Sequence, residues 1–160
     1  VDYLEYKRHF DATHDEFEIP SDCQEIFDPS FYDAGQYSWH FKWYLKFADN
    51  KFVRIWEHFS RVPGLQESQR LHFAYHYGPV TGFGKDGLPS HGSKQPVDIR
   101  IDNSVQRVHL HFGATEPHYF QEKVERLGME KLDMFTFINR IFKHRATGKT
   151  LDKVFGFRII

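Results

Sequence analysis

Residues Tyr37–Ala48 alternate without a break. The odd positions are Tyr37, Trp39, Phe41, Trp43, Leu45 and Phe47, and the even ones Ser38, His40, Lys42, Tyr44, Lys46 and Ala48. A period of two places the first set on one face of a strand and the second on the other. The segment therefore predicts a long, half-buried strand and excludes a helix, whose apolar stripe recurs about every 3.6 residues. A strand with so aromatic a face needs partners beside it and a layer on top.

The partners follow directly. Asp49-Asn50 supplies turn chemistry and Phe52–Phe59 resumes as a second strand, which makes a hairpin. Arg70–Tyr77 alternates again, with Leu71, Phe73, Tyr75 and Tyr77 on one side and His72, Ala74 and His76 on the other. Val97–Asp102 and Arg107–Phe112 form another alternating pair around Asn103-Ser104. The covering layer is read from period: Pro117–Leu127 carries Phe120, Val124 and Leu127 on one stripe, and Glu130–Arg145 carries Leu132, Phe135, Ile138, Ile141 and Phe142. The expected fold is α+β: an antiparallel sheet of about five strands with two C-terminal helices packed on one face. Val154–Ile160 reads as a last strand or an oligomer edge, which leaves a homodimer open. Residues 78–96 hold five glycines and three prolines and form a loop longer than a simple connection requires, hence a candidate functional loop.

Charge divides the chain. Residues 1–35 carry ten acids against Lys7 and Arg8, a net of −8, and the rest carries 19 Lys+Arg against 12 Asp+Glu, a net of +7. The total of −1 therefore hides a basic body. Pro20, Pro29 and Gly35 interrupt the acidic stretch, so residues 1–36 read as an arm, with aromatic residues as anchors, and 37–160 as one domain. The arm is expected to shield the basic face by lying on it. One cysteine, Cys23, excludes an internal disulfide framework and fits a reducing cytoplasm. No run of roughly 18 apolar residues suggests a membrane span, and no secretory signal pattern opens the chain.

Alternation also gathers the chemistry. His72 and His76, then Asp98, Arg100 and Asp102, then Arg107, His109 and His111 fall on the non-core side of three sequential strands. As neighbours they form one patch, with side chains about 5–7 Å apart. A solvated face more typically draws Lys, Glu, Thr and Ser. Three chemistries fit. Metal-independent RNA cleavage uses one imidazole as base and a second, protonated group as acid, with Arg on the transition-state charge; His109 or His111 with His76, Arg100 and Asp102 supply that set. Alternatively His109-x-His111 chelates zinc, iron or manganese, since a strand places alternate side chains about 7 Å apart on one side, with Glu116 or His118 as third ligand. In cupin-like form this site lacks the flanking glycines and the second motif. The third is a nuclease of the His-hydrophobic-His type, which needs Tyr119 as nucleophile with only seven residues separating it from His111. A non-catalytic protein- or nucleic-acid-binding module is the alternative from another class. Trp56, on the polar side with Arg54 and His58, is suited to stack a base or cover a helix.

Several strings lie in a familiar order: Val53-Arg-Ile-Trp-Glu57, Val62-Pro-Gly64, Arg70-Leu-His-Phe-Ala-Tyr-His-Tyr-Gly78, Arg100-Ile-Asp102-Asn103, and His109-Leu-His111-Phe-Gly113. Over about residues 40–145 this order resembles the TumE-like toxins of prokaryotic toxin–antitoxin systems, with their R-Y-D-N … H-x-H-x-G signature. The family's Gly-Lys-Gly run before the His pair is here Ser-Val-Gln-Arg-Val, with Arg107 in place of the lysine. The resemblance implies a cytoplasmic toxin acting on RNA and neutralised by a cognate, DNA-binding antitoxin. Catalysis is then expected from His109, His111, Arg100, Asp102 and His76, and substrate contact from Asn103, Arg107, His72 and Arg70. No cofactor is expected, unless a divalent metal sits at His109/His111.

Overall fold

The computed structural model describes residues 3–27, 32–33, 38–61, 68–92, 97–103, 108–113, 119–120, 124–125 and 132–159. Five strands match the alternating segments: β3 (Trp39–Phe47), β4 (Lys51–Arg61), β5 (Ser68–Pro79), β8 (Ile99–Asp102) and β9 (His109–Phe112). They pair in that order, each antiparallel to the next. β1 (Cys23–Phe27) extends the sheet beyond β3, β10 (Tyr119–Phe120) extends it beyond β9, and the short β2 (Tyr32–Asp33) also pairs with β3. The β3–β4 turn places Asn50 at φ 65°, a left-handed conformation that Asn tolerates better than most side chains.

Trp39, Phe41, Trp43, Leu45 and Phe47 of β3 are all fully buried, together with Val53, Ile55, Tyr75, Tyr77, Ile99, Ile101 and Leu110. The covering layer is α2 (Met134–Thr147), which buries Met134, Phe137, Ile138 and Ile141, and α3 (Leu151–Phe155), which buries Leu151 and Phe155. Asp133 caps α2 by accepting from the Thr136 amide at 2.7 Å, and Gly148 closes it at φ 71°.

Two C-terminal helices thus cover the sheet, but the pair is not the expected one. The described residues of Pro117–Leu127 are strand, not helix: Tyr119–Phe120 pairs with β9, and β11 (Val124–Glu125) pairs with β12 (Arg158–Ile159). Short apolar repeats fit either period, and here the free edge of β9 and the returning C-terminus take them as strand. Val154–Ile160 is divided between the end of α3 and β12, so it is not one strand.

The acidic N-terminus is the larger correction. Tyr3–Asp15 forms α1, whose Tyr6 and Phe10 are buried in the main core. Phe10 packs on Phe41 at 4.7 Å and Trp43 at 5.2 Å, and Tyr6 packs on Phe59 at 4.8 Å. Tyr3, Tyr6 and Phe10 stand three and four residues apart, the helical spacing, with Glu5, Lys7, Arg8 and His9 between them turned outward. Since α1 lies on the core-facing residues of β3, it covers the side opposite His40, Lys42 and Tyr44. The helix cannot shield the basic face. Residues 28–31 and 34–37 lie outside the described residues.

Candidate active site

Register assigns the open face in rows. His40 pairs with His58 and His58 with His72. The next row is Lys42, Trp56, Ala74, Asp102 and His109, and the next Tyr44, Arg54, His76, Arg100 and His111. Side chains in register share a face, so the expected patch on β5, β8 and β9 is assembled and extends across β3 and β4.

At its far edge stands a compact constellation. His109 Nε2 lies 3.0 Å from Asp102 Oδ1 and 3.1 Å from His111 Nε2, and His111 Nε2 lies 3.8 Å from Asp102 Oδ2. Arg100 donates from Nε to Asp102 Oδ2 at 2.7 Å. The Asp102 and His109 side chains are each 1% exposed and His111 is 13% exposed, so His111 is the member that a ligand reaches first. A carboxylate oxygen and two imidazole nitrogens converging on one point attract a cation, either a shared proton or a metal. All three ligand atoms lie within 4.8 Å of one another. Two His and one carboxylate are a donor set suited to iron, manganese or zinc, and an Arg holding the carboxylate is the outer-shell contact such ligands take.

The opposite half of the face is a stack of rings. His40 and His58 lie 4.3 Å apart and nearly parallel, His58 and His72 5.7 Å apart, and Trp56 faces His72 at 6.4 Å. All four rings are half-buried. Burial, and then the neighbouring Lys42, lowers the pKa of His40; burial, and then His40 and His72, lowers that of His58.

His76 lies between the two halves, 3% exposed, and its Nε2 has no hydrogen-bond partner. Burial, reinforced by His91, Arg100, Arg54 and His111, holds it well below the ordinary value of 6.5. Groups lowered in this way bind fewer protons folded than unfolded at and below that ordinary value, so stability there rises with pH. Thermal melts from pH 8 to pH 5 should show the midpoint falling as pH drops below about 6.5, more shallowly in His76→Asn. An equal slope in both proteins would exclude His76 as a source of acid sensitivity.

Two expected contacts are engaged elsewhere. Asn103 accepts from the Phe73 amide and donates to the Leu71 carbonyl, each at 2.9 Å, and so clips the end of β8 to β5. Arg70 is on the core side, donating to Glu57 Oε2 at 3.0 Å and to the Tyr75 hydroxyl at 2.7 Å. The reason is a bulge: His58 pairs with His72 while the next residue, Phe59, pairs with Arg70, so Leu71 is extra and the alternation reverses. Arg107, Glu116, His118 and the Tyr119 side chain lie outside the described residues. Burial, and then Asp22, pushes the Cys23 thiol up to about 12, which disfavours the thiolate form.

Sequence reasoning placed Arg54 and His58 on the polar side beside Trp56 but did not join them, His40 or His91 to the patch on β5, β8 and β9. The first three were available from parity, because the even positions of β3 and β4 continue the rows of β5, β8 and β9. No protein-family model, curated protein or solved structure matches the chain. No helix among the described residues is long and apolar enough to cross a membrane.

Proposed function

We propose that the protein cleaves RNA at a phosphodiester bond on the open face of its sheet. The observation that carries this reading is the buried Asp102–His109–His111 constellation with Arg100 on its carboxylate, on one face with a platform of stacked rings. Imidazoles exchange protons near neutral pH, and aromatic platforms stack unpaired bases, the usual targets of sequence-reading RNA binders. His111 takes the 2′-hydroxyl proton, the 2′-oxygen attacks phosphorus, and the bond to the 5′-oxygen breaks. The proton held among His111, His109 and Asp102 returns to the leaving 5′-oxygen, and Arg100 offsets the charge that builds on the phosphate oxygens. The products are a 2′,3′-cyclic phosphate and a 5′-hydroxyl end. The likeness to TumE-like toxins supports the same substrate and residues, and extends the proposal to a toxin held inactive by a partner antitoxin.

The convergence of three ligand atoms favours a second reading, metal-assisted cleavage at the same residues. Incubating the purified protein with total RNA, with and without chelator, separates the two. Cyclic phosphate ends formed equally in both samples are expected. Chelator-sensitive cleavage with one transition metal per chain would transfer the reaction to the metal. No cleavage in either sample would leave a binding module.

A further inference from the structure

The glycine-rich loop turns back on the sheet. β6 (Gly82–Phe83) and β7 (Pro89–Ser90) form a small hairpin closed by Gly87 at φ 78°. It buries Leu88 against Tyr44, Phe52 and Val80. Thr81 Oγ1 accepts from the Gly92 amide at 2.7 Å, and His91 Nδ1 lies 3.0 Å from the Pro79 carbonyl oxygen. The hairpin is thus anchored at its base by hydrogen bonds and at its tip by an apolar contact. Under it lies a cavity of about 270 Å³, lined on the sheet side by Arg54, His76 and Arg100 and on the hairpin side by Ser90 and His91.

Both arginines are held through Nε. Arg54 donates to the Tyr44 hydroxyl at 3.2 Å and Arg100 to Asp102 at 2.7 Å. That anchoring uses the inner nitrogen of each guanidinium, so a phosphate here would be gripped end-on, through Nη1 and Nη2. Asp86 also lines the cavity, but its Oδ1 accepts from the Leu88 amide at 3.0 Å, and two guanidinium charges outnumber it. His76 Nε2 is the one buried side-chain polar atom among the described residues lining this cavity that has no hydrogen-bond partner. A buried polar group left unpaired is costly, and a ligand oxygen or hydroxyl in the cavity would remove that cost.

We propose that this cavity is a phosphate subsite, in which Arg54 and Arg100 take the phosphate oxygens and His76 Nε2 donates to one of them. The volume lies just under the roughly 300 Å³ at which small-molecule sites begin, which suits a phosphate with little more than the sugar it esterifies. Arg100 touches both the cavity and Asp102, so the subsite adjoins the proposed cleavage centre. Its role as an anchor for the RNA substrate rests on the cleavage reading; phosphate binding itself does not.

The two sources of such a group are free orthophosphate and the end of a nucleotide chain. Calorimetric titration of the full protein with orthophosphate, a 5′-phosphorylated deoxydinucleotide and its 5′-hydroxyl counterpart distinguishes them, and none has a 2′-hydroxyl to cleave. The phosphorylated dinucleotide is expected to bind at least about tenfold tighter than the 5′-hydroxyl form, and Arg54→Gln to lose about tenfold or more. Arg54→Lys, which keeps the charge and loses the fork, should recover part of that loss. Phosphate-induced movement of the His76 ring resonances gives a second readout that needs no variant. Orthophosphate binding alone, lost in Arg54→Gln, would assign the site to the free ion. Measurable but equal binding of the two dinucleotides, equal binding of the tested phosphate by wild type and Arg54→Gln, or no binding of any of the three would overturn the subsite. RNA cleavage is measured separately, so loss of the subsite would leave the cleavage proposal standing, and the reverse.

Discussion

His111→Ala is expected to reduce RNA cleavage by about 10²–10⁴-fold, the usual contribution of a positioned proton-transfer group, while the folded protein survives. Truncating this ring removes the most exposed member of the constellation and leaves the 3.0 Å Asp102–His109 pair and the Arg100 contact in place. His109→Ala differs, because it strips Asp102 of a buried neighbour, and it should lower stability as well as rate. kcat/KM on a labelled RNA, read beside a melting curve, separates the two variants. In cells, expression of the wild type should arrest growth and His111→Ala should not. Cleavage by His111→Ala at the wild-type rate would end the assignment.

How much of this was legible in the chain depends on what each residue's neighbours allow. β3 was plain because no residue in Trp39–Phe47 breaks the alternation, and its odd positions are indeed the centre of the core. Arg100, Asp102, His109 and His111 were also legible, because two ordinary antiparallel strands carry parity into contact without irregularity. Arg70 was not. One extra residue, Leu71, reverses the pleat, and a bulge in mid-strand leaves no mark in a hydrophobicity pattern. α1 was hidden for another reason: its three aromatic contacts sit among exposed charged and polar residues of both signs, and a narrow stripe of that kind becomes visible only when β3 offers a matching surface. The loop at residues 78–96 was recognisable as unusual. Its closure over His76 was not, because it depends on Leu88 meeting Phe52 across the sheet.

The relocation of Arg70 has a consequence large enough to measure. Arg70 and Glu57 form an ion pair at 3.0 Å beneath α1, and Glu57 is almost wholly buried. Glu57 also accepts from the Tyr6 hydroxyl at 2.8 Å and from the Tyr75 hydroxyl at 2.7 Å, so helix and sheet are joined through one carboxylate. Burial, and then the charge of Glu57, raises both tyrosine pKa values well above 10, which keeps these hydroxyls protonated as donors. Burial opposes the Arg70 charge, but its surroundings, with the Glu57 carboxylate as the charged partner, outweigh burial and hold its pKa above the ordinary value. Arg70→Ala leaves the Glu57 charge buried with only two neutral donors. The expected loss is about 3–5 kcal/mol of unfolding free energy, the usual cost of removing one partner of a buried pair. Replacing both ends, Arg70→Met with Glu57→Leu, should recover much of that loss, because no lone charge then remains inside. Urea unfolding of the single and double variants measures this coupling. A role for Arg70 at the RNA surface makes the opposite forecast: weaker RNA binding at unchanged stability. An Arg70→Ala protein as stable as wild type would refute the buried pair and return Arg70 to the open face.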